Sequence, residues 1–357
     1  MNNVNNSNKT NKTILVVGGA GYIGSHTVYL LLQQGYRVIV LDNLLHKQTF
    51  SLEAPEPKSL IFIQADFADK NILKDIFTRY TIDAVMHFAA FIEVGLSVIN
   101  PADFYHNNVT KTLILLDVMR EYNVKKFIFS SSCAVYGIPQ KLPLDEEHSF
   151  APINPYGKNK LIIEYVLQDY AIAYGLQSVS LRYFNAAGAL PEFGLGEIHE
   201  PETHVIPLLL RAVKDNKYFT VFGDDYPTHD GTCVRDYVHV LDIGQAHVLA
   251  FEYLAKKGEE IGISSAFNLG SETGYTVREL IAQVEQVTGV TVPVLIKPRR
   301  AGDVPVLVAN AAKAKSILSW DPAHSSLQKI LQDAWAWEIK DTKNMILAPK
   351  KSCVKSM

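Results

Sequence analysis

Cysteine is scarce in this chain. Cys133, Cys233 and Cys353 are spread over 357 residues, too few and too far apart for a disulfide framework or a thiolate zinc site. They suggest a reducing compartment, read here as cytoplasmic, and no metal site is expected. An excess of either charge is also missing, with 34 Lys+Arg against 37 Asp+Glu and a formal net charge of −3. That balance argues against nucleic acid as a partner but leaves room for a local basic pocket around a phosphorylated ligand. No apolar run is long enough to span a bilayer, so no membrane partner is expected. Residues 1–12 are Asn-rich without the apolar centre of a signal peptide, and are expected to be a disordered tail. The Lys-rich residues 341–357 are expected to be a loose one.

The informative part begins at Thr13–Val17 (T-I-L-V-V), a branched apolar run of strand length. It leads into Gly18-Gly19-Ala20-Gly21-Tyr22-Ile23-Gly24, then an apolar-periodic helix from about Tyr22 to Gln34, then a strand over Arg37–Leu41 ending on Asp42. In such a β-α-β unit, glycines at 18, 21 and 24 allow a tight turn and let backbone amides approach a pyrophosphate at the helix N-terminus. A carboxylate at Asp42 suits ribose hydroxyls and would repel a 2′-phosphate, which favours NAD over NADP. Similar units follow. Strands are predicted over Leu60–Gln64, Ala84–Phe88, Lys126–Ser130 and Ser178–Leu181, with helices over Lys70–Tyr80 and Phe104–Tyr122. The alternation implies a doubly wound parallel sheet of the α/β class. Ala89-Ala90 follows one strand and leaves space for a cofactor to lie close.

Asn154-Pro155-Tyr156-Gly157-Lys158-Asn159-Lys160 opens another helix, with Asn154 as N-cap and Pro155 at the first position. Tyr156 and Lys160 fall on one face a turn apart. An ammonium beside a phenol is expected to lower its pKa and suit it to acid/base work near neutrality. Ser132 follows a strand at the same edge of the sheet. Serine, tyrosine and lysine around a nicotinamide suggest hydride chemistry at a secondary alcohol. After Asn185 the alternation weakens. Gly188–Glu202 reads as an irregular loop, His204–Val213 and Asp242–Tyr253 as helices, Phe219–Phe222 and Ala266–Leu269 as strands. Arg235 and Arg300 are the best candidates to hold a diphosphate. His87 reads as a core histidine. The expected division is a cofactor-binding domain over 13–185, rejoined by about 234–255, and a substrate-binding domain over 186–340.

Several segments together resemble the UDP-glucose 4-epimerase family of the extended short-chain dehydrogenase/reductase superfamily. They are G-G-A-G-Y-I-G-S-H-T (18–27), F-S-S-S-C-A-V-Y-G (129–137), N-P-Y-G-K-N-K (154–160), L-R-Y-F-N-A-A-G-A (181–189), F-G-D-D-Y-P-T-H-D-G-T-C-V-R-D-Y-V-H-V (222–240) and P-R-R-A-G-D (298–303). The resemblance implies a Rossmann sheet with a smaller α/β substrate-binding domain, and NAD that stays bound. It implies epimerisation at C4 of a UDP-hexose through a 4-keto sugar, in a homodimer. Tyr156 would be the base, Ser132 would orient the hydroxyl, and Lys160 would tune the tyrosine and hold the cofactor. Gly18, Gly21, Tyr22, Ile23, Gly24, Asp42, Asn43, Asp66, Phe67, Phe88, Ala89, Ala90, Asn107, Lys160 and Phe184 would line the NAD. Ser132, Tyr156, Asn185, His204, Val205, Thr220, Phe222, Arg235, Arg300 and Asp303 would hold the UDP-sugar.

Four positions depart from the family pattern. Ile92 stands where a lysine is frequent, Leu44-Leu45-His46-Lys47 where small residues are usual, and His204 in place of an asparagine. Leu307 occupies the position tied to N-acetylated sugars, and its bulk favours UDP-glucose and UDP-galactose. The alternatives are a 4-epimerase of a UDP-N-acetylhexosamine or of UDP-xylose/arabinose, a sugar-nucleotide dehydratase, and a non-catalytic NAD-binding protein. Cys133-Ala134 after Ser132 disfavours the dehydratase, which needs an acid/base pair there.

Overall fold

A computed structural model describes residues 12–45, 59–258, 260–300 and 303–340. Expectations for residues 1–11 and 341–357, for His46-Lys47 and for Ala301-Gly302 lie outside the described residues. Lys12, assigned from sequence to the tail, is described and pairs with Asp83 at 2.7 Å.

The strands are β1 (Thr13–Val17), β2 (Arg37–Asp42), β3 (Leu60–Gln64), β4 (Ala84–His87), β5 (Lys126–Ser132), β6 (Gln177–Tyr183), β7 (Asn185–Ala187), β8 (Phe219–Phe222), β9 (Val234–His239), β10 (Ser264–Leu269), β11 (Gly274–Thr276), β12 (Val294–Lys297) and β13 (Val306–Leu307). The helices are α1 (Tyr22–Gln33), α2 (Lys70–Arg79), α3 (Val94–Ile99), α4 (Pro101–Tyr105), α5 (Lys111–Glu121), α6 (Pro155–Tyr174), α7 (Val205–Lys214), α8 (Val240–Lys256), α9 (Val277–Thr288), α10 (Ala312–Leu318) and α11 (Leu327–Ile339).

The large sheet is parallel, in the order β10-β6-β5-β4-β1-β2-β3. Its central strands are buried on both faces, which is why β1 and β4 read as unbroken apolar runs rather than alternating ones. One face packs on α1 and α8 through Val28, Leu31, Phe251 and Leu254. The other packs on α2, α5 and α6 through Leu73, Ile76, Leu115, Leu116, Ile163 and Leu167. Each such fully buried side chain contributes about 1.5–3 kcal/mol. The chain runs β1-β2-β3 to one side and β4-β5-β6-β10 to the other. The order therefore reverses between β1 and β4, and the crevice beyond their carboxyl ends is where open α/β sheets bind ligands.

A second group of elements carries its own core, with Ile206, Leu209, Val221, Leu280, Val284 and Ile330. It holds a four-stranded sheet, β11-β9-β13 with β7 added to β9, and the parallel pair β12-β8.

Three expectations need correction. β9 does not rejoin the large sheet. Its sequence V-R-D-Y-V-H mixes charged with apolar residues and suits the smaller sheet, whereas α8 behind it does pack on α1. The strand that does rejoin is β10, seated on β6 from Ser264↔Ser178 to Leu269↔Tyr183 and placed by sequence in the second half. The single helix expected over 104–122 is α4 and α5 joined through a π-helical segment, His106–Thr110. Such bulges leave the α-helical hydrogen-bond pattern and reorient side chains, frequently at functional sites.

Candidate active site

The glycine turn is set by contacts that no side chain would tolerate. Gly18 has φ +78°, and a Cβ there would stand 2.5 Å from the Ala89 amide nitrogen; one on Gly24 would stand 2.2 Å from the Gly18 carbonyl oxygen. These two glycines hold β1, the turn, α1 and the Ala89 loop against one another. Gly21 caps α1 without a side-chain hydrogen bond, and the first turn carries no acidic residue. The positive end of the helix dipole thus faces the crevice, where a pyrophosphate fits. Asp42 ends β2 with one carboxylate oxygen accepting from Ala20 N (3.0 Å) and the other from Leu44 N (2.8 Å), fixing it beside the turn. Asn43 Oδ1 accepts from Leu45 N at 3.0 Å.

The walls of this crevice come from β3, β4 and the π segment. Asp66 follows β3, accepts from Lys111 Nζ at 2.5 Å and from the Ala68 amide at 2.9 Å. Burial opposes its charge, but Lys111, that amide and His106 outweigh burial and hold the carboxyl below its usual range. Phe67 is buried with Lys111 5.9 Å from its ring centre. Phe88 N donates to Val17 O at 2.8 Å, which ties the Phe88-Ala89-Ala90 corner to the end of β1. The π segment holds the same corner: Asn108 bonds the Phe91 amide (2.8 Å) and carbonyl (2.9 Å), and buried Asn107 donates to Asn108 at 3.1 Å. Tyr22 O–H donates to Gly188 O at 2.6 Å, joining α1 to the loop after β7. The neighbouring Ile23 packs against the large-sheet core. These features form a cradle for a dinucleotide bound through its diphosphate and ribose.

The Ser132, Tyr156 and Lys160 side chains meet beside that crevice. Asn154 Oδ1 accepts from Gly157 N at 2.8 Å and starts α6 as the sequence indicates. Tyr156 N donates to Ser97 Oγ of α3 at 3.3 Å. Lys160 Nζ donates to Ser130 O at 2.7 Å and lies 5.6 Å from the Tyr156 ring centre and 5.0 Å from that of Phe129. The expected lowering of the Tyr156 pKa by Lys160 is not what the geometry gives. Burial pushes the phenol up to about 12; the Ser132 hydroxyl works against that rise, and Cys133 and Glu93 add to it. The cost of burial falls on the lysine as well, which comes down to about 7 against the attraction of Glu164.

Apart from Ser132 and Tyr156, the residues expected to hold the UDP-sugar lie outside the large sheet, on or beside the second group of elements. Asn185 opens β7 and donates to Asp236 O at 2.7 Å. Thr220 and Phe222 share one side of β8, opposite the core residues Phe219 and Val221. Arg235 donates to the carbonyls of Val234 (2.9 Å) and Val304 (2.7 Å), and Leu307 is its partner in register on β13. Arg300 pairs with Asp303 at 3.1 Å and covers the Phe222 ring at 4.9 Å. Leu307 packs in one cluster with Phe184 and Leu161. His204 N-caps α7 ahead of Val205, and its Nδ1 is bonded to Glu197. Ile92, where a lysine is frequent in the family, is half-buried and uncharged. His87 is a core residue as expected, bonded to Thr112 at 3.0 Å and pushed by burial down to about 3.

Sequence reasoning missed a buried ion pair beneath the site. Arg182 of β6 grips Glu164 of α6 through Nη2–Oε2 (2.5 Å) and Nε–Oε1 (3.0 Å). Ser131 Oγ donates to Glu164 at 2.5 Å and Arg182 to Tyr136 at 2.9 Å. The available signals were an arginine inside the apolar strand S-V-S-L-R-Y and an acid one turn after Lys160. Ser97 and Glu93 carried no signal at all.

A glycine turn at the head of a parallel sheet, with serine at the end of β5 and tyrosine and lysine at the start of α6, defines a nucleotide-cofactor enzyme of the short-chain dehydrogenase/reductase type. The chain belongs to the NAD dependent epimerase/dehydratase family, whose profile matches residues 14–270. It is 48% identical over 325 residues to a UDP-glucose 4-epimerase of Halalkalibacterium halodurans, covering 91% of this chain and 95% of that relative. The UDP-glucose 4-epimerase of Bacillus subtilis is 42% identical, over 91% of this chain and 96% of its own. The crystal structure of UDP-glucose 4-epimerase from Brucella ovis in complex with NAD aligns with a TM-score of 0.84 at 46% identity, covering 91% of this chain and 97% of that one. The Stenotrophomonas maltophila UDP-glucose-4-epimerase, with bound NAD and formylated UDP-arabinopyranose, aligns with a TM-score of 0.85 at 38% identity, over 92% of this chain and 98% of that one.

Proposed function

We propose that this protein is an NAD-dependent UDP-sugar 4-epimerase acting on UDP-glucose and UDP-galactose. The observation that carries the reading is the meeting of Ser132, Tyr156 and Lys160 beside the Gly18–Gly24 turn and Asp42. When bound, NAD supplies reversible hydride exchange with the sugar C4 and, in its oxidised form, a positive charge. Tyr156 takes the 4-hydroxyl proton as the alcohol becomes a ketone and returns it when the ketone is reduced on the opposite face. Ser132 orients that oxygen. Lys160 titrates near neutrality, so its proton places a cation beside the phenol when phenolate is needed.

The cofactor would lie along Gly18, Gly21, Tyr22, Ile23, Gly24, Asp42, Asn43, Asp66, Phe67, Phe88, Ala89, Ala90, Asn107, Lys160 and Phe184. The UDP-sugar would be held from the second group of elements by Asn185, His204, Val205, Thr220, Phe222, Arg235, Arg300 and Asp303. On this reading 13–185 with α8 and β10 is the cofactor unit, and the rest of 186–340 the substrate unit. Leu307 packs in the Phe184 cluster and pairs in register with Arg235, and its bulk supports unsubstituted hexoses. We also read the protein as a cytoplasmic homodimer. No helix among the described residues is long and apolar enough to cross a membrane. Exposed apolar side chains recur on α3 and α6, where Ile99 is 80% and Ile172 79% exposed. Sedimentation at the mass of a single chain would remove the dimer.

The test is incubation with UDP-galactose and no added cofactor, beside UDP-N-acetylgalactosamine and UDP-xylose. UDP-glucose should form while the acetamido sugar stays unchanged. Turnover of another sugar alone would move the assignment to that sugar, and no interconversion of any would end it.

A further inference from the structure

Outside the triad, titratable side chains converge most closely in the loop between β7 and α7. Among the described residues, Glu197, His199, Glu202 and His204 place four donor atoms all within 4.8 Å of one another. His199 Nδ1 stands 3.1 Å from Glu197 Oε1 and 4.0 Å from Glu202 Oε1. His204 Nδ1 is 3.9 Å from the same Glu202 oxygen and in hydrogen-bond contact with the same Glu197 oxygen. In a tetrahedral site with ligand bonds of about 2.0–2.2 Å, neighbouring donors stand about 3.3–3.6 Å apart. Each of these pairs needs to move by less than about 1 Å to meet that spacing.

The charges call for a cation. The side chains of Glu197 and Glu202 are only 6% and 2% exposed, and Arg211, which also pairs with Glu338, stands 3.4 Å from Glu202. One arginine against two buried carboxylates leaves negative charge for the imidazoles to balance.

Backbone contacts hold the loop that carries these side chains. Glu202 Oε1 accepts from the amides of Thr203 (2.8 Å) and His204 (2.9 Å). Trp337 Nε1 donates to the Glu197 carbonyl at 3.1 Å. Gly196 lies flat on that indole, where a Cβ would stand 2.2 Å from a ring carbon.

We propose that Glu197, His199, Glu202 and His204 bind one divalent transition-metal ion of the zinc class. This revises the expectation of no metal, which weighed only cysteine spacing and overlooked E-x-H-x-x-E-x-H. Two imidazoles and two carboxylates suit zinc better than calcium or magnesium, which take oxygen ligands. With four protein ligands the site is closed, the kind that fixes structure rather than activates water. It would pin the loop over Tyr22 at the rim of the epimerisation site.

The experiment uses full-length, tag-free protein with its cofactor as purified, stripped with a chelator and titrated with Co²⁺, then displaced by Zn²⁺. The visible absorption of a four-coordinate Co²⁺ site should saturate at one ion per chain and vanish on adding Zn²⁺. His199→Ala and Glu202→Gln should each weaken binding at least about tenfold, while His229→Ala, at an exposed histidine elsewhere, should leave it unchanged. Glu202→Gln is isosteric and keeps an oxygen for the two amides, so the test stands even if His199→Ala fails to fold. Absence of saturable binding, or binding in the folded variants equal to wild type, overturns the site. The readout is metal occupancy rather than turnover, so its failure leaves the epimerase reading untouched, and the reverse.

Discussion

Lys160 brings an ammonium to a place where only 3% of the residue reaches solvent, with Ser130 O as its hydrogen-bond acceptor. Burial lowers its pKa from 10.5 to about 7. Between those values the unfolded chain holds a proton on this amine that the folded chain has released. Stability on its account therefore rises with pH across that window, and the full penalty is present below pH 7. Lys160→Met should accordingly stabilise the cofactor-free protein at pH 7, on the order of 3 kcal/mol, and abolish turnover. The gain, read from urea midpoints, should shrink as the pH approaches 10; an equal gain at every pH would contradict it. Tyr156, Lys160 and Ser132 were legible because their spacing is local to one helix start and one strand end. The direction of their pKa values was not, because it depends on how deeply other elements bury them. Glu93 and Ser97 reach the site from α3, and nothing in V-G-L-S-V-I marks that helix as its neighbour.

Helices and strands here are held at the site by polar clamps as much as by apolar packing. The Glu164–Arg182 pair, both residues 3% exposed, joins α6 to β6, and through Ser131 to β5, directly below Tyr156 and Ser132. Removing one partner leaves the other charge buried, so Glu164→Gln should destabilise the fold by about 3–5 kcal/mol. Pairing it with Arg182→Met should recover part of that loss. Chemical denaturation of the single and double variants checks this, and losses that simply add would show that the pair is not coupled. Elements with a strong period, such as α1 and α2, lie within a residue or two of where the sequence places them. The π segment does not announce itself, because Phe104–Tyr122 keeps a helical beat through it. It is the tertiary demand of Asn108 on the Phe91 loop that accompanies the break. Short strands such as β7, β11 and β13 escaped notice for a related reason: two or three residues carry too little pattern to be read.

At the scale of the whole molecule, one sheet gathers the cofactor cradle and the proton-transfer residues, while a second set of strands and helices presents its own side chains across the crevice. The sequence conveyed the alternation that builds the sheet. It did not convey that β10, far along the chain, would close one edge, since a strand of S-S-A-F-N-L belongs equally well to either unit. In the proposed reaction the sugar C4 loses its hydrogen as hydride to a bound cofactor and receives the same hydrogen back on the other face. UDP-galactose carrying deuterium at C4 tests this directly. UDP-glucose should retain the deuterium at C4 and form in ordinary water with no cofactor added. Product whose C4 hydrogen comes from the solvent, or whose formation waits on added NAD, would contradict it.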